Sequence, residues 1–254
     1  EVRMKYVGLK VNAGVATITL KRPKVNAINE EMVAELHKAF SEAESDESVR
    51  AVVLTGGAGS FFSFGFDIPG FMDYPKDAFR LFVTAFSELV KYVFGFPKPV
   101  IGALNGHAVA GGCVLALACD RRIMVSGKPR IALNELTLGV TIITSIAEML
   151  RFAIGARNAQ QVLYSGKMFS AEDALAIGLV DEAQPAEEFE AAVANAATGL
   201  AAVSGDAFRT AKNLLKKRVL SRIDREDEFS IQDFVHVWYE EETREKLAKV
   251  EIRD

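Results

Sequence analysis

Nine consecutive residues constrain this chain more than any others. Ala110-Gly111-Gly112-Cys113-Val114-Leu115-Ala116-Leu117-Ala118 carries no charge, amide or hydroxyl on any side chain. Read as a helix, it is apolar all round, and such a helix has to be enclosed on every side. It is far shorter than the roughly 18 apolar residues of a membrane span. The enclosure must therefore come from protein. A chain of 254 residues, half of them hydrophobic, has enough apolar material for that.

The surroundings of the run give the fold class. Val100–Leu104 and Ala51–Thr55 are short continuous apolar runs, the pattern of strands buried on both faces. Residues 5–11 and 15–20 read as strands joined by a short loop ending in Gly14. Arg121–Val125, 130–133 and 179–182 read as further strands. Helical spacing marks residues 30–43 behind the cap Asn29, 76–94, 145–154, 157–164 and a segment starting at Ser170. From residue 186 onward only helix is predicted, with breaks near Ser204-Gly205 and near Ser221. Strands alternating with helices, followed by helices alone, predict an α/β core with a helical tail. No sequence repeat is visible. A tail of about 50 residues is too small to stabilise itself, so it should pack on the core or on a neighbouring subunit.

Several functions are excluded or unsupported. The 30 basic and 34 acidic residues give a net charge of −4, without the basic excess of a nucleic-acid binder. The basic run Lys212, Lys216, Lys217, Arg218 is followed at once by acidic residues. Cys113 and Cys119 make neither a disulfide framework nor a zinc site, and the three His residues lack ligand spacing. Gly106 to Gly111 has the interval of a phosphate loop but lacks the Lys that must follow. No dinucleotide fingerprint and no nucleophile elbow is present. The chain shows no signal-peptide layout, membrane span or peroxisomal ending. The expected location is the cytoplasm, or an organelle matrix if a transit segment precedes Glu1.

Three segments carry possible chemistry. Ser60 to Ile68 and Asn105 to Cys113 are glycine-bearing loops, each after a buried strand. The second opens the apolar helix, whose first N–H groups would suit a developing negative charge. Turn-forming glycines account for either loop equally well. The third segment, Leu133-Asn134-Glu135-Leu136-Thr137-Leu138-Gly139, sets one carboxylate among apolar neighbours, where its pKa would rise toward neutrality. A loop Glu paired with an Arg is the alternative. His107 reads as a strand end and Asn134 as a turn former. Ten of the 17 Phe fall between Phe61 and Phe96. Phe79, Phe82 and Phe86 keep helical spacing and read as core. Phe61, Phe62, Phe64, Phe66 and Phe71 are candidates for the wall of an apolar pocket.

Taken together and in order, these motifs resemble the crotonase (enoyl-CoA hydratase/isomerase) superfamily. Lys21-Arg22-Pro23-Lys24-Val25-Asn26-Ala27-Ile28-Asn29 is similar to its N-terminal signature. Ser-Phe-Gly-Phe-Asp-Ile at 63–68, the Asn105–Cys113 loop and Asn-Glu-Leu-Thr-Leu-Gly at 134–139 follow. The segment 170–182 is similar to its late helix and strand. The resemblance implies an α/β fold, a crotonase-like spiral of ββα units with a C-terminal helical region. Residues 1–200 would form the spiral core with an acyl-CoA site, and 201–254 the helical region. It implies trimers or dimers of trimers, CoA arriving only as part of a thioester substrate, and no metal, nucleic acid or membrane partner. The thioester oxygen would lie between the N–H groups of Phe66 and Gly111. Lys24, Val25, Ala27 and the stretch Ser63, Phe64, Gly65, Phe66, Asp67, Ile68 would contact CoA or the acyl group, along with Gly111 and Val114.

One departure narrows the expected reaction. Hydratases of this family carry Glu at the position of Val114 and a second Glu at that of Glu135, together holding a water. An aliphatic side chain neither binds nor ionises a water. The apolar Val140-Thr141-Ile142-Ile143 after the Leu-Gly also departs from the hydratase pattern. The resemblance therefore points to a 3-enoyl-CoA to 2-enoyl-CoA isomerase with Glu135 as single acid and base. Enoyl-CoA hydration and non-catalytic acyl-CoA binding are the alternatives.

Overall fold

The structure is a computed structural model that describes residues 4–252. It opens with a hairpin in which β1 (Val7–Asn12) pairs antiparallel with β2 (Val15–Leu20). Strand β1 starts later than the alternation predicts, because the N–H groups of Lys5 and Tyr6 donate to the Glu35 carboxylate. Glu35 lies in α1 (Glu30–Ser45), which begins as expected at Asn29, whose side chain accepts from the Met32 N–H.

A repeating unit of two strands and a helix follows. The first holds β3 (Ala51–Thr55), β4 (Phe61–Ser63), a single-turn α2 (Ile68–Phe71) and α3 (Lys76–Phe94). The second holds β5 (Val100–Leu104), β6 (His107–Val109) and α4 (Gly111–Ala118). The third holds β7 (Arg121–Val125), β8 (Ile131–Ala132), a 3-10 turn (Glu135–Leu138) and α5 (Thr144–Ser165), interrupted at Gly155 with φ 74° and ψ 163°. After α6 (Ala171–Ala176) comes β9 (Glu182–Gln184). The first strand of each unit joins a six-stranded sheet of order β1-β2-β3-β5-β7-β9, parallel from β2 onward. The second strand of each joins a separate parallel sheet, β4-β6-β8. This is the expected spiral of ββα units. The last strand falls later than 179–182, because the Leu179 and Val180 N–H groups both donate to the Ala174 carbonyl and close α6.

The core explains the apolar run and most of the Phe cluster. All eight residues of α4 are buried. Phe79, Phe82, Val83, Phe86, Leu89, Val90 and Val93 form the buried stripe of α3. Each wholly buried Phe contributes about 1.5–3 kcal/mol. The opposite face of the large sheet is covered by α7 (Ala186–Ala201), where Phe189 and Val193 meet Ala51, Ile101 and Ile123.

The tail consists of α8 (Gly205–Trp238) and α9 (Glu241–Leu247). It packs on its own chain, α8 lying against α3 and α5. The break at Ser204-Gly205 is present, but α8 runs unbroken through Ser221. One Ser costs a helix only about 0.5 kcal/mol, and buried Ile223, Ile231, Phe234, Val235 and Trp238 hold the helix to the core.

A buried ionic cluster fastens this helix. Asp120 accepts from Lys212 and Lys216 at 2.7 Å each and from the Val100 N–H. Both lysine side chains are almost wholly enclosed, and burial lowers Lys212 to about 8 despite Asp120. Lys216 also donates to the Phe94 carbonyl. Asp120→Asn would leave two buried cations facing each other, and we expect a loss of about 3–5 kcal/mol in denaturant unfolding. A loss below about 1 kcal/mol would mean that the apolar face alone holds α8.

Candidate active site

The second strands of the first two units end in the two glycine-bearing loops, and backbone packing brings those loops together. A Cβ on Gly65, at φ 101°, would lie 3.0 Å from the Gly111 nitrogen. One on Gly112 would lie 2.2 Å from the Ser63 carbonyl oxygen, and one on Gly106 2.2 Å from that of Ser60. Only glycine permits such approach at these positions. Two asparagines hold the arrangement. The Asn26 amide, at φ 49°, donates to the carbonyls of Gly56, Phe61 and Phe62. Asn105 accepts from the Gly56 N–H and donates to the carbonyls of Gly57 and Gly59.

Two backbone donors result. The flanking groups of Phe66 are used, since the Gly65 carbonyl accepts from Ile28 and the Asp67 N–H donates to Ile28. The N–H groups of Phe66 and Gly111 donate to no described residue. Gly111 is the first residue of α4, where N–H groups lack a helical acceptor. The peptide carrying its N–H is set by Ala110, at φ 47° and ψ −119°. This backbone is unfavourable for a residue with a Cβ, and the surrounding packing has to impose it.

Both loops face a cavity of about 130 Å³. Phe64, Phe66, Ile68, Val109, Ala110 and Gly111 form one side, with Val83 and Phe86 of α3 beside them. Asn134, Glu135, Leu138, Val140, Ile143 and Ile146 form another. Phe234, Trp238, Leu247 and Val250 of the tail complete it. Glu135 is the single ionisable side chain in this lining. It is 8 % exposed, and its Oε2 has no hydrogen-bond partner. Burial without a compensating cation pushes its pKa up to about 7. Its backbone is fixed by the Val140 N–H donating to the Glu135 carbonyl. Thr243 of α9 donates to the carbonyl of Gly139, which closes the same turn.

Of the residues singled out from sequence, Phe64, Phe66, Ile68, Gly111 and Glu135 line this cavity, whereas Lys24, Val25, Ala27, Ser63, Gly65, Asp67 and Val114 do not. Ser63 is fully buried, donating to the Asn26 carbonyl and accepting from the Gly65 N–H. Asp67 is ion-paired with Arg22 at 2.6 Å and caps α2 by accepting from Gly70. Arg22 also donates to the Ala27 carbonyl, and the Val25 carbonyl accepts from Phe64. Val25 and Ala27 are buried in this seam, with Lys24 at φ 73° beside them. Val114 is fully buried within α4, outside the cavity lining, so an aliphatic core contact stands there instead of a carboxylate. Phe71 lies behind Phe66, with ring centres 6.4 Å apart, and supports the wall without lining it. His107 starts β6, stacks on Phe61 and accepts at Nδ1 from the Arg130 N–H, with its pKa lowered by burial. Asn26, Asn105 and Ala110 lie in segments singled out from sequence but were given no role of their own there, and Trp238 was read only as an apolar residue of the tail. Asn26 and Ala110 leave a trace only in backbone angles that no residue type announces. Among the described residues no three His, Cys, Asp or Glu converge as metal ligands, and no helix is long and apolar enough to cross a membrane.

Comparison with known proteins places the chain in a family. The sequence profile described as "Enoyl-CoA hydratase/isomerase" matches residues 10–254. The chain is 32% identical over 225 residues to the mitochondrial enoyl-CoA delta isomerase 1 of Homo sapiens, covering 88% of this chain and 74% of that one. It is 33% identical over 234 residues to a putative enoyl-CoA hydratase of Thermus thermophilus, covering 89% of each. The crystal structure of human mitochondrial delta3-delta2-enoyl-CoA isomerase superimposes with a TM-score of 0.92 at 29% identity, covering 96% of both chains. Relatives named for either reaction thus stand at similar identity.

The buried carboxylate has a consequence for stability. An unfolded Glu ionises near its ordinary 4.5, whereas folded Glu135 holds its proton to about 7. Between these values the folded state binds the extra proton, so stability falls as pH rises and levels off above about 7. The fall amounts to about 3 kcal/mol. Denaturant unfolding at about pH 5 and about pH 8 should show it in the wild type, and Glu135→Gln should flatten it. An unchanged pH slope in the variant would assign the proton to another group.

Proposed function

The chain belongs to the enoyl-CoA hydratase/isomerase family, and within it we propose an isomerase that moves the double bond of a 3-enoyl-CoA to the 2-position. The observation that carries this reading is the single carboxylate in a largely apolar cavity that also bears two free backbone donors. Glu135 removes a proton from the carbon next to the thioester carbonyl. The charge passes to the thioester oxygen, held by the N–H groups of Phe66 and Gly111. Each such donor contributes about 2.7–4 kcal/mol to the barrier reduction. The protonated Glu135 then returns the proton at the gamma carbon. A pKa near neutrality suits a group that must act first as base and then as acid. The apolar walls keep water from the dienolate. CoA enters as part of the substrate, and the two proton transfers require no further cofactor.

Hydration would need a second proton-carrying group to hold a water, and Val114 supplies none. A purely binding role leaves the cost of burying an unpaired carboxylate without a return. The substrate-contact roles of Lys24, Val25, Ala27 and residues 63–68 belong to this proposal, as does assembly into trimers. Exposed Leu214, Leu215 and Phe229 on α8 offer apolar surface for such assembly.

The test is direct. Purified protein given a 3-enoyl-CoA should form the 2-enoyl ester, with kcat/KM rising with pH through about 7 as Glu135 ionises. Glu135→Gln should lower kcat by about 10²–10⁴-fold. Rapid water addition to a 2-enoyl-CoA without isomerisation would overturn the proposal, and full activity in the variant would remove Glu135 from its role.

A further inference from the structure

The cavity has a mouth and a closed end. Phe64, Phe66, Ala110, Asn134, Leu138 and Val250 are the half-buried residues of its lining and mark the mouth. The rest of the lining is buried, and its bulk comes from three helices: Val83 and Phe86 of α3, Ile146 of α5, and Phe234 and Trp238 of α8. Phe66 and the residues just before Gly111 and Glu135 belong to the rim. The reactive groups therefore lie toward the mouth, and an acyl chain held there runs inward to the helices. That end is braced from behind. Phe79 is wholly buried, with its ring centre 4.3 Å from that of Trp238 and 6.3 Å from that of Phe234. A buried polar knot ties the same three helices together. The Ser145 N–H of α5 donates to Asp227 Oδ1 of α8 at 2.8 Å, Ser87 of α3 donates to Asp227 Oδ2, and the two serine hydroxyls lie 2.9 Å apart. Ser87 follows Phe86 in the chain and Ser145 precedes Ile146, so the knot sits next to the lining itself. Parting the helices to deepen the cavity would strip the buried Asp227 carboxylate of its donors, which is costly.

We infer that this site selects a short acyl group, about four to six carbons long, and that the wall of α3, α5 and α8 is the stop, since a closed apolar cavity of about 150 Å³ holds one benzene, a six-carbon guest. This rests on the acyl-CoA reading of the site. The cavity of about 130 Å³ has to hold the thioester carbonyl as well as the chain. A longer chain leaves its last carbons at the mouth, in water, where they add nothing to binding.

Two measurements test this, one of them independent of turnover. Saturated acyl-CoA esters cannot be isomerised, so calorimetric titration with the butanoyl, hexanoyl, octanoyl and decanoyl esters reads the fit of the chain alone. From butanoyl to hexanoyl the added pair of carbons is buried, and Kd should fall by about 15-fold. From hexanoyl to decanoyl it should fall by less than about threefold in all. A larger fall over that interval would overturn the inference. In Phe234→Ala the stop is cut back, and decanoyl-CoA should then bind at least about tenfold tighter than hexanoyl-CoA. Ile146→Ala is a smaller cut at the same end and should move the limit in the same direction, which keeps the test available should the first variant not fold. A limit still at hexanoyl in a folded variant would show that this wall is not the stop. The kinetic arm compares 3-hexenoyl-CoA with 3-decenoyl-CoA. If Kd levels off at hexanoyl but neither ester is isomerised, the reaction proposed above fails while the length limit stands. If both are isomerised and Kd keeps falling through decanoyl, the reaction stands and the length limit fails.

Discussion

The close approach of two backbones is the constraint on which the rest depends. Gly65 meets Gly111, Gly112 meets the Ser63 carbonyl, and Gly106 meets that of Ser60, all at separations that a Cβ would occupy. This contact joins the ends of two successive ββα units. It places the Phe66 and Gly111 N–H groups at one cavity, and it packs the first turn of α4 against the neighbouring loop. The apolar character of α4 follows from the same arrangement. A helix whose first turn must lie in the middle of the molecule has no face left for a polar residue.

The proposed reaction makes two opposing demands of the site. Stabilising an anionic intermediate calls for donors and a dry surrounding, whereas a base must be able to ionise. A positive side chain near Glu135 would keep it ionised but lower its basicity. The structure uses none in the lining and supplies the donors from backbone instead. Peptide N–H groups attract a developing oxyanion without carrying a full charge. The basicity of Glu135 is set chiefly by burial.

Much of this was legible in the sequence, for identifiable reasons. The α3 stripe, the buried β3 and β5, the Asn29 cap and the all-apolar helix are local patterns whose periodicity survives folding. Glu135 stood out because a carboxylate among apolar neighbours is unusual within a few residues. What escaped is non-local. Asn26 acts on carbonyls 30 to 36 positions away, and Asn105 reaches back 46 to 49. Neither was given a role of its own in the sequence, although both lie in segments singled out there. Phe71 and Phe66 are equally greasy in sequence, and only packing separates the supporting ring from the lining one. Leu179 and Val180 imitate a strand, yet their N–H groups close a helix. Ser221 imitates a break, yet tertiary contacts on either side carry the helix through it. The ββα repeat exists in three dimensions without self-similarity in sequence, because each unit ends in a different element.

The contribution of α8 and α9 to the cavity also bears on how the protein is made. Both backbone donors and Glu135 lie in the first 135 residues, whereas Phe234, Trp238, Leu247 and Val250 are the last lining residues to leave the ribosome. A nascent chain can complete its strands and its buried helix with the Glu135 carboxylate already in place, yet the enclosure that raises its basicity is still missing. On the proposed function, competence to bind and react is therefore acquired only after residue 250 has been made, when the tail docks through Asp120 and seals the cavity.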